Sequence, residues 1–195
     1  MGSTDLTHYG ATSSISVTSG QAYEGDKSLK FQAGNSDKMG IHDKTETDAP
    51  AVGIVYSWVY WQDDGGSNRC GCFFRFQDTG NLYMIQHDPT FANQSLYRIK
   101  GGNFTKPDET SVDSTPTKGS WTRCRYQCWE NSGAVNFRVE YYDGSSWIQA
   151  APDCSDPANE FAGGGGMGYG DLVGSNTSSN DPYYIDNVEV WYYDG

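Results

Sequence analysis

The sequence predicts an all-β chain folded as a two-sheet antiparallel sandwich. Three observations carry this. Apolar residues recur with a period of two in one run after another, and no window holds them at i, i+3, i+4, i+7 long enough to make a helix. Rings are abundant, with 14 Tyr, 6 Trp and 8 Phe in 195 residues, and aromatic side chains favour strands. Gly, Asn, Asp, Ser and Pro cluster between the runs, where turns require them. The length suits one domain over residues 1–195, at the outside with an arm. Roughly ten to thirteen short strands without an internal repeat fit such a sandwich.

Along the chain, Ser13–Thr18 and Ser28–Gln32 read as strands flanking a turn at Gly20–Gly25. Residues 35–50 are polar and acidic and read as a loop. Gly53–Gln62 (GIVYSWVYWQ) is the most strand-like segment, apolar on both sides, so its facing stays ambiguous. A turn at 63–68 follows, then Cys70–Gln77 and Leu82–His87, a hairpin about the Asp78–Asn81 turn. Ser95–Lys100 is a short strand, and Gly101–Gly119, with Pro107 and Pro116, reads as a long polar loop. Trp121–Glu130, Val135–Tyr142 and Trp147–Gln149 are strands, and Pro152–Glu160 is loop. GGGGMGYG at 163–170 lacks the Lys-Ser/Thr sequel and following helix of a phosphate cradle. It reads as a glycine-paved strand packed closely on a neighbour. Tyr183–Tyr193 closes the chain.

A formal charge of −12 and a pI near 4.4 exclude nucleic acid as partner, since phosphates need clustered Lys and Arg. They also disfavour anionic membrane surfaces. No apolar run approaches ~18 residues, so no segment inserts as a membrane-spanning helix. Acidity with low hydrophobicity fits a secreted or surface-exposed protein. Cys70, Cys72, Cys124, Cys128 and Cys154 cannot all pair, so one or two disulfides are expected, with at least one thiol left over. Zinc is the rival, but Cys124 and Cys128 stand four strand steps apart, about 13 Å, too far for one tetrahedral ion without a bulge. Asn93, Asn103 and Asn176 open glycosylation sequons.

Trp121–Glu130 (WTRCRYQCWE) splits into two unlike faces. Cys124, Tyr126 and Cys128 suit a packed interior. Trp121, Arg123, Arg125, Gln127 and Trp129 make the other face, where rings could stack on a flat ligand and guanidinium forks could grip its oxygens. The plainer account pairs these arginines with nearby carboxylates.

Three ordered stretches resemble the concanavalin-A-like jelly rolls of lectins, laminin-G-like modules and carbohydrate-binding modules. Ala22–Phe31 (AYEGDKSLKF) looks like their G-x-x-S-L strand entry, and Gly119–Tyr126 (GSWTRCRY) like the G-x-W strand of the second half. Gly166–Gly170 with Tyr183–Val190 (YYIDNVEV) looks like their glycine strand and closing I-D-N/D-V strand. The resemblance implies a jelly roll and a structural calcium joining first and last strands, its ligands carried over to Asp186, Asp26 and Gly25. Asp5 or Glu24 could add an oxygen. Such folds host binders, hydrolases and lyases alike.

The resemblance implies a ligand on an inward-curving sheet, and the alternation assigns residues to it. Phe74 and Phe76 would face the core with Cys72, leaving Arg75 and Gln77 outward beside Trp121, Arg123, Arg125, Gln127 and Trp129. Arg138 joins them from the next strand, with Trp58 and Tyr60. Rings flanked by planar polar groups suit sugars, and the arginines suggest an acidic glycan. The expected function is therefore non-catalytic binding of a polysaccharide or surface glycan. A laminarinase-like hydrolase would need E-x-D-x-x-E, which is absent. A jelly-roll lyase using His87 and Tyr83 is one alternative. A self-assembling structural or adhesion subunit, such as a virion or surface-layer part, is another.

Overall fold

The computed structural model describes residues 7–10, 15–32, 39–42, 52–62, 70–88, 93–112, 114–162, 164–171 and 182–193. Asp5, Ser13, Ser14, Asn176, the turn at 63–68 and most of the 35–50 segment lie outside them.

Two antiparallel sheets face each other. The first holds, in spatial order, β1 (Thr7–Gly10), β4 (Met39–His42), β14 (Gly166–Asp171), β6 (Cys70–Asp78), β7 (Asn81–Asp88), β8 (Asn93–Lys100) and β9 (Asn103–Ser111). The second holds β12 (Trp147–Gln149), β11 (Ala134–Tyr142), β10 (Trp121–Asn131), β5 (Gly53–Trp61), β15 (Tyr183–Tyr192), β3 (Ser28–Phe31) and β2 (Ile15–Thr18). A short strand, β13 (Cys154–Asp156), pairs with β11 beyond the end of β12. Among the described residues there is no helix. The all-β antiparallel sandwich read from the sequence is the fold.

The core between the sheets is built by alternation. Val55, Val59 and Trp61 of β5, Cys124, Tyr126 and Cys128 of β10, and Val135, Phe137 and Val139 of β11 meet Cys72, Phe74, Tyr83, Ile85, Leu96 and Tyr169 of the first sheet. Each large apolar side chain removed from water contributes about 2 kcal/mol. The ambiguous segment of β5 is resolved by its neighbours. Ser57 turns inward, where its hydroxyl hydrogen-bonds that of Tyr169, and Tyr56, Trp58 and Tyr60 turn outward. The glycine run behaves as expected. Gly168 and Gly170 of β14 lie against Phe73 and Gly71 of β6, and a Cβ on Gly71 would stand 2.9 Å from the Gly170 carbonyl.

Several expectations are corrected. The long loop at 101–119 is largely a strand, since Asn103–Ser111 forms β9 at the sheet edge. Its polar, Pro-bearing sequence suits an edge, where Pro107 costs no ladder bond and charges discourage further pairing. Met39–His42 and Cys154–Asp156 are also strands where loops were expected. Among the described residues the expected disulfides are not seen. Cys72, Cys124, Cys128 and Cys154 are buried thiols, and Cys72 and Cys124 donate to the carbonyls of Gly168 and Thr122. Burial pushes the Cys128 thiol up to about 12, so it stays protonated and inert. The side chain of Cys70 lies outside the described residues.

The alternation on β6 also breaks. Arg75 has φ 52°, and the register shifts between Phe74 and Asp78, as at a β-bulge. Gly165 fits this kink, because a Cβ there would lie 2.6 Å from the Arg75 carbonyl carbon. Phe76 thereby turns away from the core it was assigned to and joins Phe73, Leu82, Met84 and Ile99 in a separate buried cluster.

Candidate ligand-binding face

The outward side of the second sheet is a lattice set by three registers. Trp121 lies opposite Tyr60, Arg123 opposite Trp58 and Arg125 opposite Tyr56. On the far side of β10, Arg125 faces Glu140, Gln127 faces Arg138 and Trp129 faces Asn136. Beyond β5, Tyr184, Asp186, Glu189 and Trp191 stand against Tyr60, Trp58, Tyr56 and Ile54. Neighbours across strands lie about 5 Å apart and along a strand about 7 Å. From Trp121 to Trp129 the face is about 27 Å long. Eight of the ten expected ligand residues therefore share one surface: Trp58, Tyr60, Trp121, Arg123, Arg125, Gln127, Trp129 and Arg138. They are half-buried, and Asn103–Ser111, from the expected loop, forms an edge of the opposite sheet.

Arg75 and Gln77 are not part of it. Both sit on β6 in the other sheet, and the bulge folds Arg75 inward to 1% exposure. Its guanidinium donates to Asn159 Oδ1 at 2.6 Å, the Glu160 carbonyl at 2.9 Å and Glu130 Oε1 at 2.5 Å. Arg75 is a buried clamp on the 159–160 turn.

The arginines of the lattice are mostly answered. Arg125 Nε donates to Glu140 Oε2 at 2.6 Å, and Gln127 donates to the same oxygen. Burial lowers the Arg125 pKa, but the hydrogen bonds it donates to Glu140 and makes with Tyr56 outweigh it and hold the guanidinium above its ordinary value. Arg138 makes a two-pronged pair with Asp153, at 2.8 and 2.7 Å, which raises its pKa. Arg123 differs. Its nearest carboxylate, Glu189, is 3.8 Å away, and both side chains are over 40% exposed. Its charge rests instead over the rings of Tyr56 and Trp147, at 5.6 and 5.9 Å.

Two residues absent from the sequence reading complete the face. Trp147 of β12 reaches back so that Arg125 sits 4.4 Å from its ring centre. Tyr23 stacks on Trp58 with centroids 3.7 Å apart and planes 14° from parallel. Its loop is distant in sequence, and Asp186, which accepts the Tyr23 amide, and Asn187, which donates to Glu24, bring it over. Trp191 and Tyr193, 57% and 48% exposed, extend the surface at the other end. The closing YYIDNVEVWYY run was read as a strand, but nothing in it told which rings would remain outward.

Asp186, the first of the expected calcium ligands, is engaged by backbone amides. Asp186 Oδ2 accepts the Tyr23 and Glu24 amides at 3.0 and 3.2 Å, and Oδ1 accepts the Asn187 amide. N–H donors, not oxygens, are what surround this carboxylate, which argues against a cation on it. Asp26 and Gly25 belong to the turn so held, with φ 72° at Gly25. Among the described residues no group of three or more His, Cys, Asp or Glu is placed to hold a metal ion.

The lyase pair is sealed as well. His87 and Tyr83 do share a face, but it is the interior, at 1% and 0% exposure. His87 lies edge-on to Trp61. Tyr83 donates to Asp156 Oδ2 at 2.9 Å, and burial first, then that carboxylate, raise its pKa well above the tyrosine range. No polymer reaches either group.

This architecture is that of the concanavalin-A-like jelly rolls. The chain is similar to carbohydrate-binding module CBM66 from Bacillus subtilis, at 13% identity and TM-score 0.56, covering 96% of this chain and 95% of that one. It is similar to the exoplasmic/lumenal domain of VIP36, at 11% identity and TM-score 0.61, covering 97% and 86%. Lectin II from Ulex europaeus matches at 10% identity and TM-score 0.56, covering 97% and 92%. No family model and no curated protein sequence matches the chain.

Proposed function

We propose that this chain is a non-catalytic carbohydrate-binding domain, secreted or surface-exposed, whose ligand lies along the outward face of the second sheet. The observation that carries this is the face itself. Rings from four strands and a loop surround half-buried guanidinium and amide groups on one sheet face. Sugars present apolar C–H faces ringed by hydroxyls, and such a surface answers both. The module and lectins of similar fold are named for sugar binding, which supports the reading without supplying a ligand. Carbohydrate here also agrees with the burial of His87 and Tyr83, which leaves the lyase without its acid and base.

The test is a glycan array probed with wild type and with a Tyr23→Ala/Arg123→Ala variant. Selective binding by wild type, weakened about tenfold in the variant, is expected. Uniform background across the array for both proteins would sink the lectin reading. Exposed Trp191, Tyr193 and Tyr142 favour a second reading, a self-associating structural or adhesion subunit. A sizing column that shows only monomer at high concentration would count against it.

A further inference from the structure

We infer that the ligand of this face is an uncharged polysaccharide, the reverse of what three arginines in one patch suggest. This rests on the carbohydrate-binding reading above and concerns which class of glycan the same surface accepts. Charge on the lattice is already balanced from within. Arg125 is joined to Glu140, Arg138 to Asp153 through two hydrogen bonds, and Arg123 is nearest to Glu189. Asp186 adds a fourth carboxylate in the row of Trp58. Three guanidinium groups and Lys30, which pairs with Tyr184 in the row of Tyr60, stand against Glu140, Asp153, Glu189 and Asp186, so the patch carries no net charge, on a chain of formal charge −12.

A uronate or sulfate group would have to displace a resident carboxylate to reach a guanidinium fork. The Glu140 side chain is only 9% exposed and is also held by Gln127, so leaving it without its arginine costs free energy. Within a Debye length of about 8 Å the incoming anion meets no net attraction from the patch. Hydroxyl groups face no such penalty. A sugar hydroxyl both donates and accepts, so it can bridge the unused N–H of a paired arginine and the spare lone pair of its carboxylate. The rings supply the rest. Tyr23, stacked over Trp58 and 42% exposed, presents the outer ring at one end, and Trp191 presents one at the other. Apolar contact of this kind is indifferent to salt.

Isothermal titration at low and high salt separates the possibilities, using neutral polymers (xyloglucan, galactomannan, mixed-linkage glucan) and acidic ones (alginate, polygalacturonate). Wild type is expected to bind at least one neutral polymer with an affinity that salt changes less than twofold, and to show no heat with either acidic one. A Glu140→Gln/Glu189→Gln variant gains alginate binding that salt abolishes, whatever it loses toward the neutral polymers; Glu189→Gln alone, at an exposed site, gains part of it. Salt-sensitive binding of an acidic polymer by wild type overturns the inference while leaving carbohydrate binding intact. Failure of both Gln variants to take up alginate also overturns it, because internal neutralisation would then not be what excludes the anion. Silence with every polymer, neutral and acidic, overturns the inference together with the reading it rests on.

Discussion

Arg75 and Arg123 make an instructive pair. Each sits mid-strand among rings, in CGCFFRFQ and WTRCRYQC, and alternation assigns both to a solvent-facing surface. One is buried behind a bulge in the first sheet, and the other lies open on the second. β10 keeps strict alternation along its whole length, so every odd residue from Trp121 to Trp129 stays outward. β6 gains one residue at Arg75, in the left-handed region at φ 52°, and its register is broken there. A single irregular residue decides whether a guanidinium is a clamp or a contact.

The largest expected effect breaks this pair apart. Arg75→Ala removes charge-assisted bonds to Glu130, Asn159 and Glu160 and leaves a cavity, costing about 3 kcal/mol in urea unfolding. Arg123→Ala costs less than about 0.5 kcal/mol by the same measurement, since its ion pair is long and exposed. Equal losses would show that the two sites do not differ as described.

Much of the fold was legible because alternation and turn residues are local signals. The core sides of β5, β10 and β11 follow from period two once one neighbour fixes the facing. What was hidden depends on pairing. β9 reads as loop because an edge strand needs no apolar face, and a polar run with Pro107 serves it well. Partition of strands between sheets carries no sequence mark, so Arg75 and Gln77 were placed with residues they never meet. Of the ten expected ligand residues, eight lie on the face; six follow from parity, while the facing of Trp58 and Tyr60 was ambiguous in the sequence. Tyr23 was not, because its position depends on Asp186, more than 160 residues away along the chain.

A smaller effect tests that link. Asp186→Ala leaves the amides of Tyr23, Glu24 and Asn187 without their acceptor, a loss of about 1 kcal/mol, comparable to losing a helix cap. Chelation of wild type is expected to leave the melting temperature unchanged, because a cation bound only to the folded state would stabilise it. A drop on chelation would restore the calcium that the Asp186 hydrogen bonds argue against.

The smallest concerns pH. The amides of Ser146 and Ser145 hydrogen-bond the Asp143 carboxylate and hold its pKa below the usual carboxylate range. A depressed folded pKa means that its stabilisation is full above the unfolded value and is lost as pH falls through the folded one. The melting-temperature gap between wild type and Asp143→Ala should therefore be present at neutral pH and close as acid protonates the group. A gap that widens in acid would reverse the sign.

β15 has a consequence for how the molecule is made. The strand furthest along the sequence is not at a border but inserted between β5 and β3, with Tyr184, Glu189 and Trp191 in the outward lattice. During synthesis β5 and β3 emerge early and must wait for the filling between them. Closing loops this long is slow, and the waiting edges are open to pairing with other chains. The face acquires its third row of side chains only once β15 has emerged, so a nascent chain stalled before Tyr183 carries the arginines without the glutamate and tryptophan that frame them.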